Sequence, residues 1–87
     1  MFDAMKEARL SVDEASRILR VSRVAMFNWK AKRSRPHPQL ARRIGSFTEF
    51  LYELVRLKKL PLREDLDREE RRTKIDRLKA AFEKFDG

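Results

Sequence analysis

The 87-residue chain contains no cysteine, two glycines and three prolines. The missing thiols exclude a disulfide framework and the usual thiolate zinc sites. So little glycine and proline argues against a turn-rich β fold and in favour of helices. No apolar run approaches the roughly 18 residues that a membrane span needs, and the N-terminal MFDAMKEARL lacks the apolar core of a secretory leader. The one histidine, His37, stands between Pro36 and Pro38 with no second histidine beside it, so no metal-ligand set can form around it. A nucleophile–base pairing and a glycine-rich phosphate loop are missing as well. The sequence therefore predicts no catalytic residues, no metal and no cofactor, and a cytoplasmic location.

The most informative shortage is of acid. Between Ala15 and Thr48 there is no Asp or Glu, while nine basic residues occur: Arg17, Arg20, Arg23, Lys30, Lys32, Arg33, Arg35, Arg42 and Arg43. The formal charge of +8 is concentrated there, since the flanking thirds nearly balance. A mixed-sign solvated surface would interleave its charges. A one-sign block points instead to a polyanionic partner such as a phosphate backbone.

The periodicities predict about five helices. Phe2, Met5 and Ala8 lie at helical spacing. Ser11-Val12-Asp13-Glu14 is a capping box that opens a second helix, with Val12, Ala15, Ile18 and Leu19 on one face. Ser22 caps a third helix running to about Lys32. Residues 33–38 form a loop, and Pro38 suits the first position of the next helix. That helix extends to about Leu60, before Pro61. Its apolar phase continues across Gly45, which favours one bent helix over two. Asp67 with Glu70 caps a last helix over about 68–85, where Ile75, Leu78, Phe82 and Phe85 alternate steps of three and four.

The second and third helices are joined by a tight turn, with Leu19, Val21, Met26 and Trp29 placed to bury the joint. Such a pair presents the first half of its second helix outward, where it can enter a major groove. The pattern Leu10-Ser11, Glu14-Ala15-Ser16, Leu19-Arg20-Val21-Ser22, Met26-Phe27-Asn28-Trp29 and then Pro36 resembles the lambda-repressor-like (Cro/Xre) helix-turn-helix domain over about residues 3–57. The resemblance implies sequence-specific binding of double-stranded DNA, usually as a dimer, and transcriptional repression. The chain departs from that pattern at Arg20, where the family has its turn glycine, at Val12, at Lys30 and Lys32, and at Phe27.

On this reading Arg23, Val24, Phe27 and Asn28 contact bases, with Phe27 able either to meet a thymine methyl or to pack inward. Ser22, Arg17, Lys30, Lys32, Arg33 and Arg35 contact phosphate. Residues 1–60 form the DNA-binding unit, and 61–87 form a helical arm. The stripe Ile75, Leu78, Phe82 and Phe85 is expected to pair with a second copy, so that a chain ending near Leu60 stays folded but becomes monomeric. Partners are then a palindromic operator and a homodimer mate, with the protein a nucleoid-associated regulator. The alternative is an antitoxin of the same helix-turn-helix type that holds a toxin through its last helix. A winged MerR-like or excisionase domain is disfavoured, because residues 33–38 are too short and proline-rich for a β wing.

Overall fold

A computed structural model describes residues 1–87 and contains five helices and no strand: α1 Phe2–Ala8, α2 Val12–Leu19, α3 Arg23–Lys30, α4 Pro38–Arg56 and α5 Arg68–Asp86. The all-α class and the order of elements are as the periodicities predict. No helix is long and apolar enough to cross a membrane.

Helix starts follow side-chain chemistry. The Ser11 hydroxyl accepts from the Glu14 N–H at 3.1 Å while the Glu14 carboxylate accepts from the Ser11 N–H at 3.0 Å. Asp67 and Glu70 make the same reciprocal pair at the start of α5. Each pair satisfies two N–H groups that the helix itself leaves unbonded. Ser22 accepts from the Ala25 N–H at 3.0 Å, and His37 Nδ1 accepts from the Leu40 N–H at 3.2 Å, directly before Pro38.

Helix ends follow a rule that glycine normally serves. Arg9, Arg20, Lys32 and Lys58 have φ of 53°, 62°, 60° and 61°. At each, the next residue's N–H bonds back five residues: Leu10 to Met5, Val21 to Ser16, Arg33 to Asn28 and Lys59 to Leu54. This is the left-handed wrap that closes a helix C-terminus. It ends α3 two residues and α4 four residues earlier than the apolar spacing predicts. Across Gly45, by contrast, α4 runs on as one helix.

One core gathers all five helices: Met5 and Ala8 from α1, Ile18 and Leu19 from α2, Met26 from α3, Phe47 and Leu51 from α4, and Ile75 and Phe82 from α5, among others. Here the expectation for the C-terminal arm is overturned. Phe82 is wholly buried and Ile75 is 2% exposed. The Phe82 ring meets Phe47 edge-on at 5.4 Å and tilts over Phe50 at 5.4 Å. Leu78 is half-buried against the same core, and only Phe85, at 46% exposure, keeps an open face. The stripe read as a dimer interface is thus the inner wall of the monomer. α5 folds back across α2 and α4, and the proposed boundary at residue 60 divides a single core.

Two arginines fasten that return. Arg71 grips both carboxylate oxygens of Glu14 and also donates to the Arg9 carbonyl at 3.1 Å. Arg43 donates Nε to the Leu19 carbonyl at 3.1 Å, pairs with Glu83 at 2.9 Å and Asp86 at 3.1 Å, and lies 4.9 Å from the Phe82 ring centroid. A planar guanidinium reaches acceptors in several fixed directions at once, a geometry the point charge of a lysine does not reproduce.

Candidate functional site

α3 is held to the core along a narrow strip. Met26 alone is fully buried, and Trp29 and Val21 pack part-way against the core. Eight residues at 1.5 Å rise give a rod about 12 Å long. Its outward face carries Val24 at 70% and Phe27 at 52% exposure, the two most exposed large apolar side chains in the molecule. Phe27 therefore does not pack inward. Asn28 is half-buried beside them, and Arg23 is exposed at the N-terminal end. The four residues expected to contact bases do share one projecting helix, held by α2 behind it.

The basic block divides in two once the chain is folded. Arg17 pairs with Asp76 at 3.2 Å, Arg20 with Glu83 at 3.0 Å, Arg23 with Asp13 at 3.5 Å, and Arg43 with Glu83 and Asp86. The acid missing from residues 15–48 is thus supplied from α2's first turn and from α5. Arg17, expected on phosphate, is paired with Asp76 of α5 through a similarly exposed contact. Arg23 keeps its place on the α3 face, but its partner must be displaced before the guanidinium reaches a base edge. Exposed pairs of this kind are worth about 0–1 kcal/mol, so the displacement is inexpensive.

Five cations remain with no ion-pair partner: Lys30, Lys32, Arg33, Arg35 and Arg42. All are exposed, at or just beyond the C-terminal end of α3 and on the first turns of α4. Four of them are among the residues expected on phosphate. Trp29, Lys32, Ser34, Arg35 and Pro36 line a hollow of about 400 Å³ there, so one edge of the tryptophan reaches solvent beside two cations. Ser22 is occupied as a helix cap, which leaves its own N–H and the first α3 amides as the donors at that end.

A second, larger cleft of about 630 Å³ lies between the start of α2 and the first turns of α5. Arg68 and Arg72, which line it, carry no role in the helix-turn-helix pattern. The signal that could have marked Arg68 is its position: it directly follows the capping Asp67, at the end of a helix where cations are disfavoured. Within the cleft, burial pushes the Glu14 carboxyl up. The hydrogen bonds from Arg71 and Ser11 and the Arg71 charge together outweigh that and hold it below its ordinary value.

Compared with protein-family models, with curated proteins and with solved structures, the chain matches none.

Proposed function

We propose that this chain binds double-stranded DNA with α3 in the major groove, as a sequence-specific transcriptional regulator of the helix-turn-helix type. The observation that carries the reading is the pairing of two features on one projecting element. Val24, Phe27, Asn28 and Arg23 form an outward face mixing apolar and hydrogen-bonding groups. At its end stand four cations, Lys30, Lys32, Arg33 and Arg35, and a fifth, Arg42, lies on the first turns of α4; none has an ion-pair partner. An α-helix about 10–12 Å across with its side chains fits a groove about 12 Å wide. Val24 and Phe27 offer contacts to thymine methyls, and Asn28 offers the paired donor and acceptor that adenine presents. Lys30, Lys32, Arg33, Arg35 and Arg42 supply position without sequence information.

The toxin-holding alternative loses the surface it relied on, because Ile75 and Phe82 are spent inside the monomer. A dimer on a palindromic site remains part of the proposal, with its contact moved off those two residues.

Selection of bound duplexes from a random pool tests the reading. The expected result is a defined consensus. Its affinity should depend on salt with a log–log slope of about −4.5 if the five free cations each reach a phosphate. Arg23→Ala and Asn28→Ala should each cost about 1–3 kcal/mol on that consensus, and much less on unrelated DNA. Binding without salt dependence, or no enriched sequence, refutes it.

A further inference from the structure

The cleft between α2 and α5 places four arginines, Arg17, Arg68, Arg71 and Arg72, against only two carboxylates, Asp13 and Glu14. Its charges are not evenly matched. Arg71 holds Glu14, Asp76 holds Arg17, and Asp13 is taken by Arg23. Arg68 and Arg72, one helical turn apart on α5, are exposed and make no ion pair or side-chain hydrogen bond. Arg68 occupies the first position of α5. The positive end of the helix dipole favours Glu69 and Glu70 there and opposes a cation. The Arg68 charge therefore works against its own helix, and no contact within the molecule compensates for it.

The cleft is connected to α3 through Asp13, which both lines it and lies 3.5 Å from Arg23 in the first turn of α3. The unpaired cations Lys30, Lys32, Arg33 and Arg35 gather at the other end of the same helix. Free positive charge thus stands beyond the C-terminal end of α3 and, across the cleft from Asp13, on the side of its N-terminal end. The major groove that would take such a helix has a phosphate strand on each side.

We propose that Arg68 and Arg72 form a second phosphate clamp, gripping the DNA backbone at the N-terminal end of α3 while the 30–35 segment grips it at the other. This rests on the DNA reading above. α5 then acts twice: its apolar face closes the core, and its first two turns extend the nucleic-acid surface. Two more phosphates raise the expected salt slope from about −4.5 to about −6.3.

The test uses the full chain and the duplex recovered by selection, titrated between 50 and 200 mM salt. Arg68→Gln with Arg72→Gln should flatten the slope by about 1.8. The base preferences should be unchanged and the thermal midpoint unchanged or raised, since an unfavourable helix charge has been removed. Lys32→Gln with Arg33→Gln and Arg35→Gln should flatten it through the other clamp. Lys74→Gln with Arg77→Gln, on α5 but outside the cleft lining, should leave it as it was. An unaltered slope in the first variant beside a flattened one in the second overturns the clamp and leaves the DNA reading standing. Equal flattening in the first and third variants overturns it as well, because a diffuse field rather than a clamp would be at work. So does a flattened slope accompanied by lost helicity. Failure of the unsubstituted chain to bind any duplex overturns both readings.

Discussion

Four residues turn left-handed in this chain, and all four are Arg or Lys. For an L-residue other than glycine that conformation costs about 1–2 kcal/mol. A cation near a helix C-terminus recovers a part of it through the dipole. Both glycines are elsewhere, and Gly45 lies inside α4, where an added Cβ would meet nothing within 4 Å. Glycine in a helix interior costs about 0.8–1.0 kcal/mol relative to alanine. The substitutions Gly45→Ala and Lys58→Gly should therefore each stabilise the fold by about 0.5–1 kcal/mol. They lie far enough apart on the chain to add, and together they should raise the melting temperature by several degrees. Glu14 gives a second residue-scale expectation. Its folded carboxyl ionises below the ordinary value of 4.5, so its contribution is fully present above about pH 4.5 and lost as pH falls through the folded value. Melting curves of Glu14→Gln should be less stable than the parent at pH 7, and the difference should shrink as pH falls below the ordinary carboxylate value. The same residues show what was legible. Helix starts were readable because Ser11, Ser22, Asp67 and Pro38 announce themselves. The ends of α3 and α4 were not, because Lys32 and Lys58 do the work of a glycine without resembling one.

At the scale of elements, α5 is where the reading from sequence and the folded chain part. The spacing of Ile75, Leu78, Phe82 and Phe85 shows correctly that one face is apolar, but periodicity does not say what covers that face. The missing information lies in long-range pairs, Arg71 with Glu14 and Arg43 with Glu83, separated by 57 and 40 positions. Charged residues of either sign are common on any helix surface, so nothing local marks these as partners. The consequence reverses the expectation of a dispensable arm. Removing α5 uncovers Phe47 and Phe50. A chain ending near Leu60 should lose its cooperative thermal transition rather than persist as a folded monomer. Phe82→Ala in the full chain should cost about 3–5 kcal/mol, measured by urea denaturation.

For the whole molecule, the charge pattern was half legible. The acid-free block from Ala15 to Thr48 located the basic surface, and the tight α2–α3 joint located its projecting helix. Which cations are free could not be read, since Asp13, Asp76, Glu83 and Asp86 reach Arg17, Arg20, Arg23 and Arg43 only in three dimensions. The docking of α5 on α2 has a further consequence, in time. Helices of eight residues are too short to persist in water on their own, so α2 and α3 hold their places only once a segment nearly sixty positions away has arrived. Closing so long a loop before its contacts form slows folding relative to bundles whose sequence neighbours are also spatial neighbours. The chain's single tryptophan stands on α3, which makes its fluorescence a clock for that event. Ile75→Val, on the α5 side of the seam, should slow the refolding phase seen by Trp29 and not merely hasten unfolding. If it affects unfolding alone, the seam closes after the barrier and α3 is shaped earlier than its support.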